Sequence, residues 1–281
     1  MNRRNYALSA QLHAALRRHT VSILPIECDE KNLPAPVPGH QGSGTCIIIE
    51  GRYFIATAAH VVPNLPASDY WVLGEALRGG FFKRLGAGKR GGKPGDDLDI
   101  AWIEIHSNEA AALRSTFLTL ERISPYSAEE RDDLVVMGSP VANQKVSEHA
   151  GRPYITTVVN IWPTRSMKTG EICDMDKKQR LYVEWQSFLE TENGDKERRP
   201  EPRGISGGSI WCTNIEAYGE TWRADQVQLV GIEFAMQRSS GYQYLIGQQM
   251  HVWCEMVADD IPELASTIKT FLAGARFYPA R

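Results

Sequence analysis

Short apolar runs, rich in β-branched and aromatic residues, alternate with polar and glycine-rich stretches along most of the chain. Runs of this length and composition are typical of β-strands. They predict strands at 21–26, 46–49, 53–56 and 99–105 in the first half, and at 134–140, 155–161, 181–185, 209–213 and 227–234 in the second. Glu50-Gly51-Arg52 lies between the second and third runs and predicts a hairpin turn. The chain is therefore predicted to be all-β over most of its length.

The two ends of the chain have a different periodicity. Apolar residues recur at helical spacing near the start, which predicts a helix over 5–19, and again over 254–275, which predicts a closing helix. Between the strands, the proline- and glycine-rich segment 31–41, the polar segment 119–133 and the charged segment 187–203 predict loops and connectors. The predicted architecture is thus a β-rich body with terminal helices.

A glycine- and lysine-rich stretch spans residues 79–97. Its central part, 86–94, superficially resembles a phosphate-binding loop. However, no serine or threonine follows a Gly-Lys pair, and Pro94 stands where the helix of such a loop would begin. We therefore predict a flexible basic loop and no nucleotide site.

Composition and charge narrow the class of protein. Of the 281 residues 42% are hydrophobic and 23% charged, and the formal net charge is −3, which is ordinary for a soluble globular protein. This mild acidity provides no attraction for nucleic acid or an anionic membrane surface, so we expect neither as a partner. No apolar core follows the basic residues at the N-terminus, so we do not expect a secretory leader.

The five cysteines are widely spaced, odd in number and without a CxxC pair. This pattern favours buried free thiols in a reducing compartment. We therefore expect a cytoplasmic protein.

Three short motifs carry residue types suited to nucleophilic catalysis. His60 follows an apolar run, Asp99 opens another, and Ser206 lies within Gly204-Ile205-Ser206-Gly207-Gly208. A serine hydroxyl needs an adjacent base to attack a carbonyl group, and the base needs a partner that fixes its tautomer and stabilises its charged form. The order histidine, aspartate, serine suits such a triad.

Each motif taken alone also has a purely structural interpretation. A histidine after an apolar strand is usually a structural residue, and Gly-x-Ser-Gly-Gly is also compatible with a simple turn. Asp96 and Asp97 compete with Asp99 for the role of the acid. We prefer Asp99 because the apolar run 100–103 begins directly after it.

In this order the three motifs resemble the trypsin-like (chymotrypsin-fold) serine peptidases, and residues 134–140 are similar to the strand that opens the second barrel in bacterial HtrA-like members. The resemblance implies two six-stranded antiparallel β-barrels with the active site between them, in an all-β fold with terminal helices. It implies a triad of His60, Asp99 and Ser206, an oxyanion hole formed by the N–H groups of Gly204 and Ser206, and no cofactor. The expected domains are a helical extension at 1–21, barrels at 22–120 and 121–253, and a C-terminal helix at 254–281.

The sequence departs from digestive members of that family at several positions. The family disulfide from the strand that here contains Cys46 cannot form, because the residue after His60 is Val61. Ile205 replaces an aspartate, and there is no Ile-Val-Gly-Gly-type activation sequence. We therefore do not expect activation by propeptide cleavage. If the activity is controlled, our hypothesis is that ordering of the segment 187–203 controls it.

The resemblance places the wall of the specificity pocket at residues 231–236, so we expect Glu233, Phe234, Ala235 and Met236 to bind substrate. If the side chain of Glu233 faces the pocket, it favours a basic residue before the scissile bond. Neighbouring side chains on a strand alternate between faces, so the opposite orientation remains open, and with it an apolar preference.

We predict a serine endopeptidase that hydrolyses a protein or peptide substrate through an acyl-enzyme intermediate. Family analogy suggests two further hypotheses. One is a narrow processing or regulatory role, for example in bacterial defence, and the other is an activating partner protein. The alternative is a catalytically silent binding module of the same fold. An α/β-hydrolase esterase is excluded because its serine precedes its acid and histidine. The other histidines have no ligand-like spacing, so no metal site is predicted.

Overall fold

The computed structural model describes residues 11–28, 34–36, 42–62, 70–73, 83–85, 90–93, 98–113, 115–125, 133–143, 145–149, 152–156, 159–167, 171, 179–186, 188–190, 196–199, 201–239 and 242–275. Two antiparallel sheets make up most of this part of the chain. The apolar runs found in the sequence supply the central strands of both sheets.

The first sheet has eight strands where six were expected. They are β1 Thr20–Cys28, β2 Pro34–Pro36, β3 Gly42–Ile49, β4 Arg52–Thr57, β5 Tyr70–Leu73, β6 Lys83–Leu85, β7 Arg90–Lys93 and β8 Ile100–Ile105. Their order is β6-β5-β1-β3-β4-β8-β7, and β2 pairs with β1. Glu50 (φ 48°) and Gly51 (φ 75°) form the predicted hairpin turn between β3 and β4, in the left-handed conformation that tight hairpins favour.

The second sheet has six strands and closes into a barrel. They are β9 Leu134–Gly138, β12 Asn160–Thr164, β13 Arg180–Glu184, β16 Ser209–Cys212, β17 Gln228–Ser239 and β18 Tyr242–Gln249. Their order is β12-β9-β16-β17-β18-β13. Ser166, just beyond β12, pairs with Val183 of β13, and the N–H of Met167 donates to the carbonyl oxygen of Tyr182 at 2.8 Å. This bridge joins the two edges of the sheet.

Two short hairpins lie outside these sheets. One consists of β10 Lys145–His149 and β11 Arg152–Thr156, and the other of β14 Phe188–Glu190 and β15 Lys196–Arg198. The second hairpin lies in the charged segment 187–203, which leads into the glycine-rich motif around Ser206.

The helices lie mainly at the ends of the chain. Residues 11–17 form α1; it is followed by α2 Ser107–Leu113, α3 Ile215–Tyr218, α4 Met250–Asp260 and α5 Ala265–Ala275. The prediction of one closing helix was wrong: Ile261 leaves the helical region (φ −129°, ψ 83°) because the residue before a proline avoids it. Residues 5–10 of the predicted first helix lie outside the described residues. No helix in the described part of the chain has the length and apolar character required to cross a membrane.

Several segments predicted as loops contain strands. The segment 31–41 includes β2, and 79–97 includes β6 and β7. The predicted strand 155–161 is two strands, because β11 ends at Thr156 and β12 begins at Asn160. The sequence did not predict β18, which pairs with both β17 and β13. The predicted domain boundaries, at 22–120 and 121–253, stay predictions.

The C-terminal helix α4 packs against the first sheet. Trp253 and Cys254 are fully buried in one apolar cluster with Phe54 of β4 and Trp102 of β8. The indole N–H of Trp253 donates to the carbonyl oxygen of Ala101 at 3.1 Å, and that of Trp102 donates to Asp260 at 2.9 Å. Burial of one such aromatic side chain stabilises the fold by about 2–3 kcal/mol, so this helix is an integral part of the β-rich body.

Candidate active site

The pairing of β4 with β8 brings His60 and Asp99 together. Thr57 at the end of β4 lies opposite Ala101 near the start of β8, so the residues just beyond each strand end meet. His60 lies on the short 3₁₀ helix Ala59–Val61, and Asp99 directly precedes β8. The strand register, set by alternating buried residues, therefore places an imidazole beside a carboxylate although 39 residues separate them in sequence.

Asp99 makes two hydrogen bonds to His60. The Nδ1 of His60 lies 2.6 Å from one carboxylate oxygen, and its backbone N–H donates to the other at 2.8 Å. A carboxylate only accepts, so Nδ1 carries the hydrogen and Nε2 presents its lone pair. The His60 side chain is 48% exposed and that of Asp99 15% exposed, so the imidazole is open to solvent while its carboxylate partner is largely covered.

Ser206 lies in a tight turn between two glycines with positive φ. Gly204 has φ 91° and Gly207 has φ 86°, values that side-chain-bearing residues rarely adopt. A Cβ on Gly207 would overlap the carbonyl oxygen of Ser43 and the hydroxyl oxygen of Thr57. The glycine therefore allows the Ser206 turn to pass directly over the first sheet.

Ser43 of β3 connects this turn to both halves of the molecule. Its N–H donates to the carbonyl oxygen of Ser206 at 2.7 Å, and its hydroxyl donates to that of Gly204 at 3.1 Å. The same hydroxyl oxygen accepts the N–H of Ser139 at 2.9 Å, while Thr57 donates to the Ser43 carbonyl oxygen at 2.7 Å. Ser206 is thereby linked through Ser43 and Thr57 to the end of β4, next to His60.

Hydrogen bonds orient two peptide groups of this turn, the one between residues 203 and 204 and the one between residues 205 and 206. The carbonyl oxygen of Arg203 accepts the N–H of Val141 at 2.9 Å, and that of Ile205 accepts the N–H of Gly208 at 2.6 Å. In a trans peptide the N–H points opposite to the C=O. The N–H of Gly204 therefore points away from Val141, and that of Ser206 points away from Gly208.

Neither the Gly204 nor the Ser206 N–H has an acceptor in the part of the chain that the structure describes. Two preplaced, unsatisfied backbone donors are what an oxyanion hole requires. These are the two groups that the sequence predicted for that role.

Solved structures of the HtrA-type protease AlgW with a decapeptide are similar to this chain. A variant form matches with a TM-score of 0.50 and 12% sequence identity, over 90% of this chain and 67% of that one. The chain has the fold of HtrA-type serine proteases. A second AlgW structure has a TM-score of 0.49 and 12% identity, over 89% of this chain and 66% of that one, so the chain spans about two thirds of these neighbours. No family model matches, and no similar curated protein is found.

The predicted chymotrypsin-like, two-barrel fold is thus confirmed. The structure also shows the surroundings of the predicted site residues. A cleft of about 360 Å³ contains Ser206 together with all four residues predicted to bind substrate, which are Glu233, Phe234, Ala235 and Met236. Asp96 and Asp97, the alternatives to Asp99, lie outside the described residues.

Glu233 is held between the Ser206 turn and Asp99. Its N–H donates to the carbonyl oxygen of Gly208, and its own carbonyl oxygen accepts the N–H of Gly207, both at 2.7 Å. The residue is 2% exposed. Burial, and to a smaller extent the charge of Asp99, raise the pKa of Glu233 well above its ordinary value. Its protonated, uncharged form is therefore favoured.

Sequence reasoning missed the residues that support the site. Ser43 lies 163 positions before Ser206 in a strand, and only the Gly42-Ser43-Gly44 pattern singles it out. Trp185 also lines the cleft, and its distance from Ser206 along the chain hides this role in the sequence.

Proposed function

We propose that this protein is a serine endopeptidase in which Ser206 is the nucleophile, His60 the general base and Asp99 the residue that orients it. The observation that carries the proposal is the two-point attachment of Asp99 to His60, through Nδ1 at 2.6 Å and the backbone N–H at 2.8 Å. It fixes the tautomer in which Nε2 can accept a proton.

The reaction would proceed in two steps. The Ser206 Oγ attacks the carbonyl carbon of the scissile peptide, and its proton passes to His60 Nε2 and then to the leaving amine, which gives an acyl-enzyme. A water molecule, deprotonated by His60, then attacks the ester carbonyl and releases the acid product and the serine. Throughout, Asp99 stabilises the transient imidazolium.

The carbonyl oxygen becomes negatively charged in each tetrahedral intermediate. The N–H groups of Gly204 and Ser206, directed out of the turn and without acceptors in the described residues, would stabilise that oxygen. One such donor commonly contributes about 3 kcal/mol to lowering the barrier. The rigid connection through Ser43 supports this role because the donors need no rearrangement during the reaction.

Labelling with a fluorophosphonate probe tests the proposal. The full-length protein should be labelled, and Ser206→Ala should abolish labelling, because the probe reacts only with an activated serine. Ser266→Ala, an exposed serine on α5, is the matched control and should be labelled like the wild type. Failure of the wild-type protein to label would favour the alternative, a binding module that uses the cleft without catalysis.

We further propose that the enzyme acts on a narrow set of protein substrates as a processing or regulatory peptidase in the cytoplasm. The cysteines Cys46, Cys212 and Cys254 are free and buried, which suits a reducing compartment. A decapeptide accompanies the structural neighbours, which supports a peptide ligand. A role in bacterial defence and an activating partner are extensions by analogy, and isolation of cleavage products from the host would test them.

A further inference from the structure

The cleft beside Ser206 carries an excess of positive side chains. It is lined by four arginines, Arg198, Arg199, Arg203 and Arg238, and by two glutamates, Glu201 and Glu233. Of these six, only Arg199 and Glu233 are buried. The chemistry of the interior of the cleft therefore depends on this pair.

Arg199 is buried and fixed in position, yet its hydrogen bonding is incomplete. The residue is 6% exposed; its Nη2 donates to the carbonyl oxygen of Pro163 at 2.7 Å, and its guanidinium carbon lies 5.0 Å from the centre of the Trp185 ring. Its Nε and Nη1 have no hydrogen-bond partner among the described residues. Buried polar groups without partners are rare and costly, and a buried charge needs an anion nearby.

The positive charge of Arg199 persists at neutral pH. Burial lowers its pKa to about 10, against the opposing effect of Glu184, so the guanidinium remains protonated. The carboxylate of Glu184 already accepts a hydrogen bond from Arg165 at 3.1 Å. Burial also raises the pKa of Glu233, which weakens this residue as a counterion for the cleft. No described carboxylate therefore forms an ion pair with Arg199.

We propose that the cleft binds the side chain of a glutamate or aspartate that precedes the scissile bond, and that Arg199 recognises its carboxylate. This inference rests on the proposed endopeptidase function, because it names the substrate class of the same site. Arg199 lines the cleft, and a carboxylate bound there supplies the anionic partner that its guanidinium lacks among the described residues. The preference is opposite in sign to the basic one expected if Glu233 faced the pocket as a carboxylate.

Peptides that differ only in the residue before the scissile bond test the preference. We expect kcat/KM for glutamate or aspartate to exceed that for glutamine or asparagine by about tenfold or more, because a charge-assisted hydrogen bond in a buried site is lost with the amide. Leucine and lysine complete the series. Equal rates for the acid and its amide, or a preference for lysine, would overturn the proposal.

Substitution of the arginine makes the test specific. Arg199→Gln should lower kcat/KM for the glutamate peptide about tenfold and change that for the glutamine peptide less than about twofold. Arg223→Gln removes an exposed arginine outside the cleft and should change neither rate. An equal loss for both peptides would assign Arg199 a purely structural role and overturn its part in recognition.

Product binding to the wild-type protein tests the inference without catalysis and without a substitution that could prevent folding. Two peptides, one ending in glutamate and one in glutamine, are titrated while the tryptophan fluorescence is followed, since Trp185 lies against Arg199. The peptide ending in glutamate should bind about tenfold more tightly; equal affinities would contradict the proposal.

Failure of the acidic preference can be distinguished from failure of the proposed peptidase function. Labelling of Ser206 by a fluorophosphonate together with equal affinities would disprove the acidic preference and leave the peptidase function standing. Absence of labelling together with a selective affinity for the glutamate peptide would disprove the peptidase function and retain an acid-binding cleft.

Discussion

The backbone N–H of Ser43 donates to the carbonyl oxygen of Ser206 at 2.7 Å. The proposed nucleophile is therefore held by a strand of the first sheet although it belongs to the second half of the chain. This bond is made by the backbone and remains possible in Ser43→Ala, whereas the two bonds of the hydroxyl, to Gly204 and from Ser139, are lost. The side chain can thus be tested separately from the backbone.

Ser43→Ala should lower kcat/KM about tenfold and destabilise the protein by about 1–3 kcal/mol, because the buried Ser139 N–H and Gly204 carbonyl lose their shared partner. Enzyme assays and urea unfolding measure the two effects. Ser22→Ala is the matched control, since the Ser22 hydroxyl is equally buried and makes no hydrogen bond to any residue that the structure describes. Equal stability losses in the two variants would show that the Ser43 hydroxyl is not a structural link.

Gly207→Ala should abolish labelling of Ser206 by a fluorophosphonate. The new methyl group would overlap Ser43 and Thr57, and φ at this position is 86°, so the turn must move. Gly219→Ala provides the control: its φ is 51° but nothing lies within 4 Å of the added carbon. That variant should lose about 1–3 kcal/mol of stability, because its backbone conformation suits glycine, and should keep full labelling.

Asp99→Asn should reduce the rate of the chemical step by about 10⁴-fold, because an amide no longer favours the His60 tautomer with hydrogen on Nδ1. The rate constant for fluorophosphonate labelling measures this loss. Asp260→Asn replaces another carboxylate that accepts an aromatic N–H, that of Trp102, and should label at the wild-type rate. A loss below about tenfold for Asp99→Asn would argue against the proposed triad.

Glu233 predicts a specific pH dependence of stability. Because its pKa is raised in the folded protein, its contribution is complete below the ordinary pKa of about 4.3 and is lost as the pH rises through the raised value. Glu233→Gln removes this titration. The variant should therefore become more stable relative to the wild type as the pH rises above about 4.3, as measured by urea unfolding.

The exposed Glu201 lies in the same cleft and is the control for that measurement. Glu201→Gln should give an unfolding free energy that runs parallel to the wild-type curve at every pH. If the Glu233→Gln curve is also parallel to the wild type, the carboxyl does not titrate abnormally in the folded protein.

A buried histidine predicts the opposite pH dependence. Burial lowers the pKa of His19 to about 4, so the folded protein holds it neutral while the unfolded chain protonates near pH 6.5. The wild type should lose stability, up to about 3 kcal/mol, as the pH falls from about 6.5 to 4. His19→Asn should lose less over that range in urea unfolding, and an equal loss would contradict the assignment.

The strands next to His60 and Asp99 could be predicted because their apolar runs are continuous: β4 ends three residues before His60, and β8 begins directly after Asp99. The sequence also predicted the turn at Gly51, since its chemistry is local. By contrast, β7 lies in a glycine- and lysine-rich stretch and pairs with β8. A Cβ on Gly92 would lie 2.8 Å from the Cβ of Ala101, so glycine allows β7 to approach β8 closely. The strand propensity of individual residues does not indicate such an approach.

The site itself was only partly predictable, for a related reason. His60, Asp99 and Ser206 are residue types with few other uses in this order, so their pattern is informative. Ser43 acts through partners that lie far away in sequence, Gly204 and Ser139. Such contacts depend on how the two sheets pack, and neither composition nor periodicity predicts that packing.

The packing of α4 on β8 has a consequence for how the chain reaches its native state during synthesis. The strand that presents Asp99 remains uncovered until Trp253, 152 positions after Ala101, reaches it. A partly synthesised chain that stops before Trp253 therefore lacks the support behind Asp99, even when His60, Asp99 and Ser206 have all emerged from the ribosome. The surroundings of Asp99 are completed only after the segment that contains α4 has been synthesised.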